Sequence, residues 1–411
     1  MKNLKIGIVI FVLIAFLASF AAVAQEKQEK LTLGALLIMS GPLASFGETE
    51  YNAVNLAKEH LNEAGGPQGK ELVVDLVDST TNPSNLRDAT KKLVNVKKVP
   101  AIVGPNIRSD VVVSITAPNH VVTISPTNTP EWVTRLDDDD YNFRTTVSDK
   151  IQGQILGKLA WERGFKTASS IYVNDPYGGP LSNIACDTFE ELGGECMAEV
   201  AYNPGKASYK MELLMASRGN PDVLIMPAYV EDGITIIREA IAGEYFDQFL
   251  FTDGMFAQKI ADETGDVLND MYGTSPGTSE SPSYNLYHEA FRGKYGHEPK
   301  AGFSEQAYDA AIVIGLAMAA SDPDAYEEDP GKAIRDNLRS VANPPGEKVT
   351  AGAESIKKAL ELIEAGEDIN YEGAAGSVDF DENGDVISGI LIWKIEDGKI
   401  KTVRTEIPER E

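Results

Sequence analysis

Acids dominate the reactive side chains of this chain: 63 Asp and Glu stand against 37 Lys and Arg, with only 4 His and 2 Cys. Metal or nucleophilic catalysis needs the rarer groups at defined spacings. His60, His120, His288 and His297 are widely scattered. No H-E-x-x-H, G-x-S-x-G or G-x-G-x-x-G occurs, so zinc hydrolysis, a serine triad and dinucleotide binding have no framework. Gly65-Gly66-Pro67-Gln68-Gly69-Lys70 has three residues before its Gly-Lys where a phosphate loop has four. It also lacks the following Ser or Thr and precedes a strand-like run, so it reads as a turn. Asp379-Phe380-Asp381-Glu382-Asn383-Gly384 satisfies the first half of a calcium loop, but position twelve is Ile390, where a bidentate Glu is required. Its Asn-Gly reads instead as a hairpin turn. Cys186 and Cys196 have no His near them in sequence, which leaves a catalytic thiol without a base. The most informative acid is Asp253. In Thr252-Asp253-Gly254 it stands at a strand end before a helical run, a place that suits a helix cap and equally a carboxylate that meets a cation. No enzymatic activity, cofactor or metal is expected.

The elements that must hold such residues follow from periodicity. Leu31 to Met39, Glu71 to Asp78, Ala101 to Gly104 and Val121 to Ser125 read as strands, separated by helices over Glu48 to Ala64, Pro83 to Val96 and Ser109 to Asn119. Asn82 is the cap of the second helix and Pro83 its first residue. A second series has strands Thr167 to Val173, Glu195 to Tyr202, Asp222 to Met226 and Gln248 to Thr252, with helices starting at Asp149, Gly178, Tyr209 and Glu231. Alternation of this kind predicts two successive open α/β sheets, and ligands of such sheets bind beyond the carboxyl ends of the strands. After Pro276 the pattern turns helical (Ser283 to Tyr295, Gly302 to Ala320, Pro330 to Ser340). A connection, Asn343-Pro344-Pro345-Gly346-Glu347-Lys348, then precedes a helix from Glu354 to Glu364. The chain is expected to close with a hairpin of Ser377 to Asp381 and Val386 to Ile395, turning through 382–385.

The first residues have the plan of a secretory signal: Lys2 and Lys5, an apolar run from Ile6 to Phe20, then Ala22-Val23-Ala24. Residues 1–24 are the expected signal peptide, with cleavage after Ala24. The run is shorter than the roughly 20 residues of a membrane-spanning helix, so a retained anchor is the weaker alternative, and no Cys follows the cut to carry a lipid. Formal charge is −26, and loss of Lys2 and Lys5 makes it −28. Such a polyanion repels phosphate backbones, which argues against a nucleic-acid partner. Export would place Cys186 and Cys196 in an oxidising compartment. A disulfide between them is a candidate, although sequence does not supply the Cα separation that bonding requires.

Seven segments occur in order: Ser40-Gly41-Pro42-Leu43-Ala44-Ser45-Phe46-Gly47, Asn62-Glu63-Ala64-Gly65-Gly66, Ile102-Val103-Gly104-Pro105, Ile124-Ser125-Pro126, Phe143-Arg144-Thr145, Asp175-Pro176-Tyr177-Gly178 and Thr252-Asp253-Gly254. Together they resemble the leucine/isoleucine/valine-binding proteins of ABC importers, from about Leu31 to Val403. The resemblance implies the type I periplasmic-binding-protein fold, two open doubly wound α/β lobes joined by a three-strand hinge. Its crossovers would lie near Phe143 to Ser148, Thr274 to Pro276 and Tyr371 to Ser377. Lobe one would then comprise 25–146 and 276–375, and lobe two 147–275 and 376–411. The implied protein is a periplasmic monomer that binds an amino acid or a similar small molecule by hinge closure and delivers it to an inner-membrane ABC permease. A sensory binding protein serving a membrane receptor is the alternative, as is a binder of small aromatic or carboxylic acids or amides.

A zwitterion needs converging donors for its carboxylate and an acid for its ammonium. By the resemblance, the ligand carboxylate would rest on Arg108 and Ser109 and on the backbone and hydroxyl of Thr129. The ammonium would meet the carbonyl of Thr127 and the carboxylate of Asp253 from the opposite lobe. Tyr177 and Tyr229 match aromatics that close over ligand, and Phe46 one near the ligand side chain. Trp132 is a further candidate wall, although packing is its simpler role. Arg108 departs from the family, where a small hydroxyl residue is usual; its guanidinium would either pair with an acidic group on the ligand or fold outward.

Overall fold

The β-rich runs and the amphipathic segments between them fold as βα units. The structure is a computed structural model describing residues 30–278 and 281–407; the signal sequence and its cut after Ala24 lie outside the described residues. Strand β1 (Lys30–Leu37) is followed by helix α1 (Ala44–Glu63), β2 (Glu71–Asp78), α2 (Pro83–Lys91), β3 (Ala101–Val103), α3 (Ser109–Thr116), β4 (Val122–Ser125) and β5 (Asn142–Arg144). These five strands form a parallel sheet in the order β2-β1-β3-β4-β5. Helices cover both faces, so successive residues of a strand serve different cores. Leu33, Val103 and Ile124 join the core that holds α1, while Leu36 and Ile102 join that of α2 and α3. Asn82 caps α2, its side chain accepting from the Ser84 and Asn85 amides at 2.9 and 3.3 Å.

The second series runs through α4 (Asp149–Glu162), β6 (Thr167–Val173), α5 (Gly178–Glu191), β7 (Glu195–Tyr202), α6 (Lys210–Ala216), β8 (Val223–Met226), α7 (Val230–Ala242), β9 (Phe249–Phe251), α8 (Gln258–Thr264) and β10 (Tyr272–Pro276). The chain then returns to the first lobe with α9 (Pro282–Tyr295), α10 (Ser304–Ala320), α11 (Pro323–Glu328), α12 (Pro330–Ala342), β11 (Glu347–Thr350), α13 (Ala353–Glu364), β12 (Ile369–Gly373) and β13 (Gly376–Ser377), of which β11, β12 and β13 form a separate three-stranded sheet. Helix α10 is apolar almost all round because it crosses the middle of that lobe: every residue from Ser304 to Met318 except Glu305 is buried. No helix among the described residues is long and apolar enough to cross a membrane. Two last strands, β14 (Ile390–Glu396) and β15 (Lys399–Glu406), complete a seven-stranded sheet of order β15-β14-β10-β9-β8-β6-β7. Gln306 braces the first two crossovers: its carbonyl accepts from Thr145 Oγ1 at 2.8 Å, and its Nε2 donates to the Pro276 carbonyl at 3.0 Å.

Three details differ from the sequence reading. The hairpin expected from Ser377 to Ile395 is reduced to one antiparallel bridge between Phe380 and Val386. The terminal hairpin is instead β14 with β15, turning at Asp397-Gly398. Strand β11 begins inside what reads as a Pro/Gly-rich connection, pairing in parallel with β12. The last crossover, expected near Tyr371 to Ser377, comes later: Val378, Phe380 and Val386 pack in the first core, and Ile390 is the next residue to join a core of the second sheet. Cys186 and Cys196 are bonded, with Cα atoms 5.6 Å apart, and link α5 to β7.

Candidate functional site

A cavity of about 440 Å³, its mouth included, lies between the two sheets where the carboxyl ends of their strands face each other. From the first sheet come Leu43 and Phe46 after β1, Asn106 and Ile107 after β3, and Thr127 to Pro130 after β4. The second sheet contributes Tyr177 after β6, Tyr229 after β8, and Asp253 and Gly254 after β9. Phe303, just before α10, stands 6.1 Å from Phe46 between ring centroids and completes an apolar wall. Strand-end loops therefore supply nearly all of the lining, as open α/β sheets require.

Asp253 is 3 % exposed. Its Oδ1 accepts from Tyr177 Oη at 2.6 Å and from Gln152 Nε2 at 2.8 Å, and no side-chain capping bond forms at the short turn it begins. Its carboxylate stands in the wall of the cleft. Burial raises its pKa, opposed by the Tyr177 and Gln152 hydrogen bonds. Tyr177 and Tyr229 stack at 5.7 Å with planes 10° apart. Asp175 fixes both: Oδ1 accepts from the Tyr177 amide at 2.9 Å, and Oδ2 from Tyr229 Oη at 2.8 Å.

Across the cleft the Thr129 hydroxyl is buried without a hydrogen-bond partner, and Thr127 Oγ1 donates to the Asn106 carbonyl at 2.9 Å. Behind Thr129 stands Asp149, the first residue of α4, fully buried, its carboxylate beside the Thr129 hydroxyl but without a well-formed hydrogen bond to any group. Burial first, then the charge of Asp253, raises its pKa well above the ordinary carboxylate value; the neighbouring Thr129 hydroxyl and Arg144 partly offset this. Two buried acids close enough for one to raise the other's pKa are costly to keep ionised unless a cation or a proton offsets the charge. On the first-lobe side Asn106 donates from Nδ2 to Glu50 Oε2 at 2.5 Å and accepts from the Ile38 amide at 2.8 Å. Glu50 is so buried that its pKa rises to about 8.

Among the expected residues, Phe46, Thr127, Thr129, Tyr177, Tyr229 and Asp253 line this cavity, while Arg108 and Ser109 do not. Arg108 has a left-handed backbone, φ 60°, and turns its guanidinium onto Asp110 through two bonds of 2.8 Å, facing the mouth. The fully buried Ser109 accepts from Asn128 Nδ2 at 2.7 Å and so supports the loop from behind. Trp132 is also at the mouth, where Nε1 reaches the Pro176 carbonyl of the other lobe at 3.4 Å. An Arg108→Ala variant is accordingly expected to bind within about threefold of the parent by calorimetry, since a partly exposed ion pair contributes little. Asn106, Asn128, Phe303, Asp149 and Gln152 were not legible as site residues. The two asparagines lie in loops that the strand-end argument already marks; the other three carry no local signal.

No cluster of His, Cys, Asp and Glu able to hold a metal occurs among the described residues. The 381–385 turn uses its acids internally: Asp381 Oδ1 accepts from the Asn383 and Asp385 amides at 2.8 and 2.9 Å.

The family model described as periplasmic binding protein matches residues 30–399. The chain belongs to the periplasmic binding protein family. This periplasmic binding protein is 28 % identical over 386 residues to the chemotactic signal transduction substrate-binding protein BasB of Halobacterium salinarum, covering 91 % of this chain and 89 % of that one. It is 26 % identical over 300 residues to the leucine-, isoleucine-, valine-, threonine- and alanine-binding protein of Pseudomonas aeruginosa, covering 71 % of this chain and 79 % of that one. Among solved structures, LivJ of Streptococcus pneumoniae, in complex with isoleucine, superposes with a TM-score of 0.77 at 22 % identity, covering 92 % of this chain and 100 % of that one. A solute-binding protein of R. palustris in complex with benzoate gives 0.76 at 16 % identity, covering 92 % and 97 %. The fold is the type I periplasmic-binding-protein fold, and its relatives are solute-binding proteins rather than enzymes.

Proposed function

We propose that this periplasmic binding protein is exported, captures an amino acid or an amino-acid-like zwitterion between its lobes, and presents the closed complex to an ABC permease of the inner membrane. The observation that carries this reading is the buried carboxylate of Asp253 on the second-lobe side of the cavity, opposite the loops at 106–107 and 127–130. An ammonium would sit against Asp253 and the Thr127 carbonyl, with the buried Asp149 behind Thr129 adding to the negative field there. The ligand carboxylate would take the Thr129 hydroxyl and amides of the same loop, and an apolar side chain would lie against Leu43, Phe46 and Phe303. Because these groups come from both lobes, ligand gains its full contacts only when the cleft is shut, and so shifts the population toward closure.

A second reading is supported by the full-length similarity to BasB: ligand capture would then serve a chemoreceptor. The site chemistry is the same in both, and the protein retained on the closed form in a membrane pull-down, permease or receptor, separates them. The ligand is tested by mass spectrometry of the small molecule released on denaturation, followed by calorimetric titration with the twenty amino acids and with benzoate. Micromolar or tighter binding of at least one amino acid is expected. Binding of benzoate alone, or of nothing in the set, would refute the zwitterion assignment.

A further inference from the structure

Arg144 is a charged side chain that the ligand contacts do not use, and it is 1 % exposed. From the end of β5 it spends every donor of its guanidinium. Nη1 reaches the carbonyls of Asn128, Thr129 and Pro130 at 3.3, 3.0 and 3.2 Å. Nη2 donates to Thr134 Oγ1 at 2.8 Å and to Asp385 Oδ2 at 2.6 Å, and Nε donates to Asp385 Oδ1 at 2.5 Å. Only a planar, five-donor cation can hold three consecutive carbonyls and a bidentate carboxylate together; a lysine cannot.

Asp385 is itself held by the turn that resembles half a calcium loop. The Asp381 amide donates to the Asp385 carbonyl at 2.8 Å, and the Arg144 amide donates to the Gly384 carbonyl at 3.0 Å, so the turn docks on the end of β5. Gly384 has φ +75°, and a Cβ there would stand 2.7 Å from the Asn142 carbonyl, so only glycine allows this approach. Arg339 binds the Asp381 carbonyl at 2.8 Å, and Asn343 brackets Phe380 through bonds of 2.8 and 2.9 Å, which anchors the turn to the end of α12.

We propose that Arg144 and Asp385 are positioning residues for ligand capture: their buried ion pair sets the shape of the 128–130 loop and ties it to the segment that leads into the last interlobe crossover. Asn128, Thr129 and Pro130 line the cavity, so the carbonyls gripped from behind belong to the residues that face ligand in front. This inference rests on the proposed ligand-binding role of that loop.

The test uses the mature, ligand-free chain carrying Asp385→Asn, which keeps the shape but removes the charge, and in parallel Arg144→Lys. Hydrogen exchange followed by mass spectrometry is expected to show amides of 126–136 exchanging at least about tenfold faster, while those of β1 and β3 stay within about twofold. Unchanged exchange at 126–136, or equal acceleration throughout the first lobe, would overturn the proposal in favour of a general stabiliser. The second measurement titrates L-leucine, or whichever amino acid binds the parent most tightly, and expects at least tenfold weaker binding. Looser exchange with unchanged affinity would also overturn it. If the parent binds no amino acid, the zwitterion reading fails, while the exchange pattern still decides whether the pair shapes the loop.

Discussion

Asp253→Ala is expected to weaken amino-acid binding by more than about 100-fold, the equivalent of roughly 2.7 kcal/mol, while the melting temperature of the ligand-free protein moves by less than about 2 °C. The two halves of this expectation have separate causes. Affinity falls because a charge-assisted contact to the ammonium is lost inside a cleft where water cannot replace it. Stability holds because the groups bonded to Asp253 keep other partners: Tyr177 Oη retains Thr252 Oγ1 at 2.8 Å, and Gln152 Nε2 retains Thr274 Oγ1 at 3.3 Å. Removal of a buried carboxylate also relieves desolvation. Equal affinity of variant and parent in a calorimetric titration would remove Asp253 from the site.

Asp149→Asn is expected to act in opposite directions on stability and binding. The folded-state pKa of Asp149 is raised by burial and then by Asp253. In the ligand-free protein the folded state therefore binds more protons than the unfolded chain once pH exceeds the ordinary carboxylate value of about 4. Its contribution to stability falls as pH climbs from there towards the raised folded value. The amide variant escapes that penalty, and its ligand-free melting temperature near neutral pH should rise by about 2–5 °C. Binding should weaken by about tenfold or more, because an ammonium prefers the ionised acid. The same linkage predicts that affinity of the parent improves with rising pH across this window and that binding releases protons. Calorimetry in two buffers of different ionisation enthalpy reads that release directly. No proton release, together with an unchanged melting temperature in Asp149→Asn, would refute the assignment.

Much of the fold is legible because each βα unit carries its own evidence: apolar runs of strand length, Asn82 with Pro83 at a helix start, and a turn residue between. The position of Asp253 follows from the same logic, since a strand end in an open sheet is where a ligand group belongs. Arg108 could not be placed this way. Whether its guanidinium meets ligand or Asp110 depends on a left-handed φ at a single residue, which composition does not encode. Asp149 looks like an ordinary acid in the first turn of a helix behind the capping Ser148, and its burial arises from the opposite lobe. The local chemistry of the Asn383-Gly384 turn is the same with or without a ladder on either side. What decides the outcome is β10, which pairs antiparallel with Ile390–Lys394 and leaves the preceding residues to the first lobe.

The threading of the chain between its lobes bears on how the molecule can be made. The first sheet lacks α10 and the Asp385 anchor until nearly the whole polypeptide is available, and β10 lacks its neighbour until β14 appears; Arg144 and Asp385 alone are 241 positions apart. Contacts of such long range are late and entropically expensive to close. An incompletely synthesised chain thus has no finished half to lock in early, a property that suits the proposed export, in which a polypeptide stays threadable until it has crossed a translocation pore.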